Sequence, residues 1–489
     1  MPSKNLKPKF PIKQIMTYFG MVFAVFLVVG LLTLMMLGYR IDANNGNLQQ
    51  YAVLQFGSSP SGATVSINGA TVGSKTPNKK SVPAGKYDIL IWRDGYETWR
   101  KSVDVKSGTM TWLNYALLVP KKLTVESVAD YESVYSSLAS QDGASMIIEK
   151  RSDIPVFNLV DLSSDIIKST ILTISATIYS EPTTTGIVHT FNIEKWDSSG
   201  RYVLINHLYN EKSEWLVMDI QNVNSTKNIT RLFDTSISNI EFFGTSGNIF
   251  YGLDANDIRK FDLTAGTIST PLVSNVINFQ LYSESNVITY VGNGAVGTNE
   301  KVVGLFQDGD SKPSIIRTVT DAKANNLHIA TARYYNENYV AVSDGARVDI
   351  LSGSYPNVIG DKVSQMKVIA SFEAAQAVDI LTFSPTGEYV FMQSGAYFAS
   401  YDLEYLKFAS STIEGSGSVL PLQWLDDNYV WSDSDSELSI REFDGVNVRT
   451  INSVLSGQAV ALTNNGRYIY SINKTDSVYQ LQRVKMILP

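Results

Sequence analysis

The chain has 489 residues, of which 44% are hydrophobic and 18% are charged, a balance typical of folded proteins rather than disordered ones. It contains no cysteine, which excludes disulfide bonds, thiol nucleophiles and cysteine-ligated metals. Charge is unevenly distributed: residues 1–122 hold 15 Lys and Arg against 5 Asp and Glu, and the remaining residues hold 25 against 42. A large acidic portion argues against nucleic acid as a ligand.

An apolar run near the N-terminus, residues 15–39, reads IMTYFGMVFAVFLVVGLLTLMMLGY, with no charged residue between Lys13 and Arg40. As a helix rising about 1.5 Å per residue, it is as long as the ~30 Å hydrocarbon core of a bilayer, which predicts one transmembrane helix. The positive-inside rule places residues 1–14, a basic tail, in the cytoplasm and the rest of the chain outside, because four lysines precede the run: Lys4, Lys7, Lys9 and Lys13. A cleaved signal peptide is the alternative, although its apolar region is usually shorter, about 7–15 residues.

Short β-rich runs follow the apolar segment. Residues 40–54 are predicted to be a polar linker, and residues 55–120 a small antiparallel β domain. Its runs are broken by Gly, Pro, Asn and Asp and lie at residues 53–56, 64–67, 87–92, 101–105 and 111–119. The pair Asn68-Gly69 lies between two of the runs and predicts a two-residue hairpin turn, because both residues accept positive φ.

A set of residues in this domain keeps a recognisable order and spacing: Pro60, Gly62, Ala63, Asn68, Gly69, Gly73, Thr76, Pro77, Gly85, Gly95 and Tyr96. Together they resemble the PEGA domain of prokaryotic surface proteins, with Ser61 where the namesake motif has glutamate. The resemblance implies a small β-sandwich that serves as a surface stalk or adhesive module, and it implies no enzymatic activity. Its aromatic residues either form a sugar-stacking platform or, as we favour, a compact core: Trp92, Tyr96, Trp99 and Trp112.

The region from residue 121 onward contains a repeated unit in which a turn precedes a β-rich run. The unit recurs eight times, with a mean spacing of about 46 residues, which is the length of a propeller blade. The turns are Asp142-Gly143, Ser199-Gly200, Ser246-Gly247, Ser285-Asn286, Glu337-Asn338, Thr386-Gly387, Asp427-Asn428 and Asn465-Gly466. A further run after most turns ends in an aspartate: Asp161, Asp219, Asp262, Asp349, Asp402 and Asp444.

One such unit cannot bury both faces of its sheet, so neighbouring units must stack into a ring. The phrases FSPTGEYVFM and WDSSGRYVLI resemble repeats of TolB-like and WD40-like β-propellers. We therefore predict that residues 121–489 form a β-propeller of eight blades, with seven as the alternative. Residues 121–128, KKLTVESV, are expected to supply the outer strand of the last blade and to close the ring.

Candidate catalytic and metal-binding residues are few. The three histidines, His189, His207 and His328, are assigned to different blades and are expected to be structurally satisfied or exposed. The chain has no G-x-S-x-G nucleophile motif and no H-E-x-x-H zinc motif. A calcium site is the less favoured interpretation of three alternating acids, which we expect to share one solvent-facing side of a strand: Asp433, Asp435 and Glu437.

The sequence thus predicts a mainly β, single-pass protein of the cell membrane whose bulk is extracytoplasmic. Its predicted role is non-catalytic: it binds or scaffolds a protein or a cell-envelope polymer, contacts the bilayer through one helix, and uses no cofactor or metal. One alternative is a propeller lyase or hydrolase of envelope glycans, with carboxylates from different blades about 5–10 Å apart. The other is a carbohydrate-binding adhesin, which requires at least two of Trp92, Trp99 and Trp112 to be exposed and coplanar.

Overall fold

The computed structural model describes residues 12–41, 46–180, 188–282, 286–295, 297–320, 327–356, 358–359, 362–363, 366–415 and 420–488. The chain divides into two compact units, unit 1 (Met1–Lys122) and unit 2 (Leu123–Pro489). The predicted fold class is confirmed, because both units are built of short β-strands and the only long helix among the described residues is the N-terminal one.

Helix α1 (Ile12–Met36) covers residues 15–36 of the apolar run, and the predicted helix end at residue 39 is wrong because Tyr39 begins a strand. Its segment Ile15–Met36 is long and apolar enough to cross a membrane, and the protein buries none of it. Length and composition fit both a membrane anchor and a signal peptide. The basic tail predicted for residues 1–14 lies largely outside the described residues.

A β-hairpin follows the helix, formed by β1 (Tyr39–Ile41) and β2 (Leu48–Gln50). The segment predicted to be a polar linker therefore contains a hairpin, and the next strand, β3, begins inside it at Ala52. The last carbonyls of a helix lack intrahelical donors. Here the Gln50 Nε2 donates to the Leu37 carbonyl at 2.9 Å and the Tyr51 N–H donates to the Gly38 carbonyl at 2.9 Å.

The rest of unit 1 is a two-layer β module. Its strands are β3 (Ala52–Ser59), β4 (Thr64–Ile67), β5 (Ala70–Thr71), β6 (Asn78–Val82), β7 (Gly85–Trp92), β8 (Trp99–Val105) and β9 (Met110–Leu117). One sheet has the order β6-β3-β9 and the other β5-β4-β7-β8. Strands β3 and β9 are parallel, which corrects the prediction of a purely antiparallel domain. Both sheets contribute buried apolar side chains to the module core, among them Leu54, Phe56, Val65, Ile89 and Ile91.

Unit 2 begins with β10 (Val125–Tyr131), and its described residues form eight four-stranded antiparallel sheets, numbered 1–8 in chain order. Sheet 1 contains β11 (Ser136–Ala139), β12 (Ser145–Glu149), β13 (Val156–Asp161) and β14 (Lys168–Thr173). Sheet 2 contains β15 (His189–Trp196), β16 (Tyr202–Tyr209), β17 (Lys212–Asp219) and β18 (Lys227–Asn228), with the short helix α2 (Ile229–Phe233) after it. Sheet 3 contains β19 (Ile237–Phe242), β20 (Ile249–Asp254), β21 (Asp257–Asp262) and β22 (Thr267–Ile268). Sheet 4 contains β23 (Val276–Tyr282), β24 (Val287–Asn293), β25 (Glu300–Gln307) and β26 (Ser314–Thr320).

The other four sheets have the same strand order. Sheet 5 contains β27 (Leu327–Tyr334), β28 (Glu337–Asp344), β29 (Arg347–Ser352) and, after the hairpin β30 (Val358–Ile359) and β31 (Lys362–Val363), β32 (Lys367–Glu373). Sheet 6 contains β33 (Ile380–Phe383), β34 (Tyr389–Ser394), β35 (Tyr397–Asp402) and β36 (Lys407–Thr412). Sheet 7 contains β37 (Gln423–Trp424), β38 (Tyr429–Ser432), β39 (Glu437–Glu442) and β40 (Arg449–Ser453). Sheet 8 contains β41 (Ala461–Leu462), β42 (Tyr468–Thr475), β43 (Val478–Lys485) and β10.

The sheets form a closed ring, which is the β-propeller predicted from the repeats. Each of the eight predicted runs becomes the second strand of one sheet. Strand β10 pairs with β43 as the outer strand of sheet 8, so the predicted closing strand is confirmed. Apolar cores lie between neighbouring sheets: Ile147 of sheet 1 packs in one cluster with Phe191 of sheet 2, and Met146 of sheet 1 packs in another with Tyr470 of sheet 8.

Two glycines of the repeated turns, Gly143 and Gly387, are required by both backbone conformation and space. Gly143 has φ +63°, and a Cβ there would lie 2.2 Å from the Leu462 carbonyl oxygen of sheet 8. Gly387 has φ +80°, and its Cβ would lie 2.8 Å from the Arg333 carbonyl oxygen of sheet 5. These two turns therefore pack directly on the preceding sheet, and only glycine fits at Gly143 and Gly387.

Most of the repeated aspartates close the turn after the third strand. Their carboxylates accept hydrogen bonds from the backbone N–H two residues on, at 2.8–2.9 Å for Asp161, Asp219, Asp262 and Asp402. This is a standard use of aspartate in turns. Asp349 differs, because it lies within β29 and forms ion pairs with Arg347 and with Arg317 of sheet 4.

Candidate functional site

The propeller has two ends with different connections. At the turn end, the first strand of each sheet joins the second, and in sheets 1–7 the third strand joins the fourth. At the crossover end, the second strand joins the third, and the fourth strand of one sheet connects to the first strand of the next. Loops positioned on a rigid scaffold commonly carry binding sites, and both ends of the propeller hold buried polar groups.

The crossover end of sheet 2 holds a buried carboxylate–histidine–histidine chain. The register of the sheet pairs His207 with Phe191 on one side and with Glu214 on the other. The Glu214 Oε1 lies 2.8 Å from the His207 Nδ1, and the His207 Nε2 lies 2.8 Å from the His189 Nδ1. The prediction that the histidines occupy different blades was therefore wrong for His189 and His207, because β15 starts ten residues before the predicted turn of that blade.

Glu214 is held as a carboxylate by four hydrogen bonds. Its oxygens accept from the Ser180 N–H at 2.6 Å, the Ser180 hydroxyl at 3.0 Å, the Asn228 amide at 2.8 Å and His207. Burial opposes ionisation, but the bonds from His207, Asn228 and Ser180 outweigh it and lower the pKa of Glu214 to about 2. Because the ionised Glu214 only accepts, the Nδ1 of His207 donates to it, and a further hydrogen bond joins the Nε2 of His207 to the Nδ1 of His189.

Aromatic rings fix the orientation of His207. Phe191 stacks on it at a centroid distance of 4.1 Å and Tyr209 at 4.9 Å, while Tyr179 meets it edge-on at 5.3 Å. His207 is fully buried, so the expectation of a structurally satisfied histidine is confirmed for it. The same holds for His328, whose Nε2 lies 2.9 Å from the Val378 carbonyl oxygen.

The Glu214 network, defined as Glu214, His207, His189, Ser180 and Asn228, fastens the connection between sheets 1 and 2. Besides the bonds to Ser180, the Asn228 amide donates to the Ile178 carbonyl at 3.0 Å, and Arg231 donates to the Thr177 carbonyl at 2.9 Å. The network therefore holds the described part of the crossover segment, residues 177–180, against sheet 2.

Sheet 1 holds a second buried acid at the same end. Glu149 is fully buried, and its Oε2 accepts from the Ser136 hydroxyl at 2.6 Å, while its Oε1 has no hydrogen-bond partner. Burial raises the pKa of Glu149 to about 7, and the bond from Ser136 opposes this only partly. Glu149 therefore titrates near neutral pH.

Acidic side chains also gather at the turn end of sheets 6 and 7. Burial raises the pKa of Glu388 to about 7, and the nearby charges of Asp402, Glu404 and Asp427 raise it further. Three of these acids are engaged in structural bonds: Asp402 accepts from the Glu404 N–H, Asp427 from the Thr386 N–H, and Glu404 from the Tyr334 hydroxyl. Through these bonds the group joins sheets 5, 6 and 7.

The segment considered for calcium is a tight turn rather than a strand. Asp433 is buried, and its Oδ2 accepts from the Gly457 N–H of the next connection at 2.6 Å. Asp435 lies in a 3₁₀ turn (Ser434–Ser436) with φ +58°, so the alternation predicted with Glu437 is absent. Among the described residues, no group of three or more His, Asp or Glu side chains is arranged to hold a metal ion.

The predicted motif residues of unit 1 form turns and their supports. The Thr76 hydroxyl accepts from the Ala63 N–H at 2.9 Å and lies 2.7 Å from the Ser58 hydroxyl. Asn68 and Gly69 have φ +49° and +83°, as the predicted hairpin requires. Of the other motif residues, Gly85 lies at the start of β7, and Tyr96 lies in a connection and is buried. The rest also lie in the connections between strands: Pro60, Gly62, Gly73, Pro77 and Gly95.

The tryptophans do not form the exposed platform that the adhesin alternative requires. Trp99 is 2% exposed and meets Tyr115 edge-on at 6.0 Å. Trp92 and Trp112 are half-buried, and the pairing of Ile91 with Trp99 puts Trp92 and Trp99 on opposite faces of their sheet. The tryptophans are thus part of the module's packing.

Comparison with known proteins agrees with both folds. Residues 52–119 match the PEGA domain family model. No curated protein matches the sequence. The C-terminal WD40 domain of Sif2 is 12% identical (TM-score 0.48, covering 75% of this chain and 99% of that chain). The Cps50 (Swd1) β-propeller domain of Myceliophteria thermophila is 13% identical (TM-score 0.39, 68% and 100%), and an oligogalacturonate lyase in complex with manganese is 9% identical (TM-score 0.41, 75% and 98%).

The predicted resemblance to the PEGA domain is thereby confirmed for residues 52–119, and the solved structures similar to this chain include a WD40 domain. At these identities and TM-scores the solved structures carry no argument about activity.

Proposed function

We propose that this chain is a membrane-anchored, non-catalytic binding protein. Helix α1 holds it in the cell membrane with the N-terminus in the cytoplasm. Outside the membrane, the PEGA domain and the propeller present a binding face to a protein or a cell-envelope polymer.

The non-catalytic role is supported by the use that the propeller makes of its buried acids and histidines. Glu214 and His207 fasten a crossover segment, Asp402 and Asp427 fasten turns, and Asp433 accepts from the backbone of the following connection. In these bonds the side chains hold turns and connections in place and so stabilise the ring. This structural use of the named acids and histidine carries the proposal.

The anchor is supported by the apolar helix and by the charge on either side of it. The segment Ile15–Met36 is exposed along its whole length, which is unfavourable in water and favourable in a bilayer. The four lysines before it favour a cytoplasmic N-terminus. The absence of cysteine is compatible with an extracytoplasmic chain that relies on its own cores.

The crossover end is the proposed binding face. It carries the connections between consecutive sheets, the longest of which, residues 174–188, joins β14 to β15. The Glu214 network orders part of this connection, and the neighbouring hairpin exposes Glu211 and Lys212. An ordered backbone with polar side chains beside it suits recognition of a polar partner.

Site-specific photo-crosslinking in intact cells tests the binding role. A photoreactive amino acid replaces Lys212 at the crossover end or, as the matched control, Ala265, which is exposed at the turn end. We expect one discrete crosslinked product from position 212 and none from position 265. Equal products from both positions, or none from position 212, would contradict the proposed face.

A further inference from the structure

We propose that the end of the PEGA domain next to α1 is a membrane-contact surface that binds anionic lipid headgroups. We call it the basal surface and define it as residues 39–41, 50–51, 82–86 and 104–110. The inference rests on the anchor part of the proposed function, since it requires α1 to cross the bilayer.

The basal surface is joined to the end of the helix by hydrogen bonds. Gln50 and Tyr51 donate to the carbonyls of Leu37 and Gly38. The Tyr51 carbonyl in turn accepts from the Gly108 N–H at 3.3 Å, and a Cβ at Gly108 would lie 2.5 Å from the Gln50 Nε2. The turn before β9 therefore packs against the residues that cap the helix.

The two sheets bring the other segments to the same end. Strand β3 begins beside this turn, since the Val53 N–H donates to the Thr109 carbonyl at 2.9 Å, and Ala52 pairs with Val82 of β6. In the second sheet, Gly85 at the start of β7 pairs with Val105 at the end of β8. All four segments thus lie at one end of the module, the end that is tied to α1.

The depth of this surface follows from the helix. A bilayer adds a headgroup layer of roughly 5–8 Å on each side of its hydrocarbon core. With α1 across the core, Met36 and Leu37 are its last apolar residues, so Gly38 lies at the boundary with the headgroups. Residues that are hydrogen-bonded to Gly38, and the immediate chain neighbours of those residues, then lie within the headgroup layer.

The chemistry of the surface fits anionic headgroups. Its exposed basic residues are Arg40, Lys86 and Lys106, and its one acidic residue, Asp104, pairs with Lys86 across the strands. Met110 is 41% exposed beside them. Basic side chains are attracted to an anionic membrane surface, and tyrosines such as Tyr39 and Tyr51 suit the interface. The surface adjoins the helix end, so we assign it to the lipid of that membrane.

Because the chain has no cysteine, single cysteines report on chosen positions of the full-length protein in lipid nanodiscs. A fluorophore is attached at Met110→Cys on the basal surface or at Asp94→Cys, which lies beyond the opposite end of β7. The nanodiscs contain phosphatidylcholine with a nitroxide on its headgroup, with or without phosphatidylglycerol. We expect quenching at position 110, stronger with phosphatidylglycerol, and none at position 94.

Charge reversal tests the electrostatic part. The pair Lys86→Glu and Lys106→Glu should reduce the quenching at position 110 about twofold or more, since two favourable charges become repulsive. The matched control, Lys121→Glu with Lys122→Glu, makes the same change in net charge away from the basal surface and should leave the quenching unchanged.

Equal quenching at positions 94 and 110, or quenching that ignores phosphatidylglycerol, would overturn the inference while leaving the anchor intact. If cells that express the full-length chain yield a soluble protein from which α1 has been cleaved, the anchor is wrong and the inference fails with it.

Discussion

Glu214 keeps its charge inside the propeller because its partners replace the water it has lost. Two backbone or side-chain donors from Ser180, the amide of Asn228 and the ring of His207 surround its two oxygens. Such a carboxylate stabilises the fold only while it is ionised.

Replacing Glu214 with glutamine tests this. The folded-state pKa of Glu214 is about 2 and its ordinary value is 4.5, so the carboxylate contributes stability above pH 4.5 that is lost as the pH falls towards 2. We expect Glu214→Gln to lower the free energy of unfolding by about 3 kcal/mol at pH 7 and by much less near pH 3. Urea unfolding of the detergent-solubilised full chain, followed by tryptophan fluorescence, measures both. Glu211→Gln, in the exposed turn of the same β16–β17 hairpin, is the control. An equal loss of stability in Glu214→Gln at both pH values would contradict the account.

Glu149 should show the opposite pH dependence. Its pKa is raised from 4.5 to about 7, so the stability associated with its protonated form is present below pH 4.5 and is lost as the pH rises through 7. We expect Glu149→Gln to be more stable than the natural chain at pH 8, by up to about 3 kcal/mol, and to differ little at pH 5. The same unfolding measurement at the two pH values checks this. A variant that is less stable at pH 8 would show that Glu149 is ionised and paired in the fold.

At the level of strands, the closure of the ring by β10 can be tested directly. Asp130 of β10 pairs with Gln480 of β43, so the double variant Asp130→Cys and Gln480→Cys should form a disulfide on oxidation. The bond would enclose almost the whole propeller and should raise its resistance to unfolding. Mobility on a non-reducing gel detects the product.

The control pairs Asp130→Cys with Asp476→Cys, which lies in the turn before β43. That position is about 13 Å along the strand from Gln480, beyond the reach of a disulfide. A disulfide in the control, or none in the Asp130–Gln480 pair, would contradict the register of the closing sheet.

The second strands of the sheets could be predicted from the sequence because each follows a turn whose chemistry is local. Gly143 and Gly387, for example, occupy turn positions that need positive φ, and the β-rich runs after them are long enough to be recognised as strands. The first strands of sheets 7 and 8 are only two residues long, Gln423–Trp424 and Ala461–Leu462, and have no periodicity. Strand β6 was not predicted because its lysines, which are typical of an edge strand, interrupt the apolar alternation by which strands are recognised.

The Glu214 network could be predicted only in part. His207 and Glu214 stand at equal distances from the hairpin turn at Asn210-Glu211, so recognising that turn would have paired them. Ser180 and Asn228 belong to segments that contact Glu214 only in the folded ring, and no local sequence pattern predicts these contacts. The orphaned Oε1 of Glu149 likewise depends on burial between sheets.

The whole molecule combines an apolar helix, a small β-sandwich and a closed propeller in one cysteine-free chain. Its charge is divided in the same order, basic in residues 1–122 and acidic beyond them. The apolar helix is exposed on all sides, which suits the hydrocarbon of a bilayer. The propeller is closed by the pairing of its first and last strands and buries its apolar side chains, which suits water.

The orientation of the chain across the membrane tests the central claim most directly. Single cysteines at Lys4→Cys and Val478→Cys, the latter 40% exposed on the propeller, are treated with a membrane-impermeant maleimide on cells whose wall has been removed. The account predicts that position 478 is labelled in intact cells and that position 4, retained in the mature chain, is labelled only after lysis. Protection of position 478 until lysis, or loss of position 4 by cleavage, would contradict it.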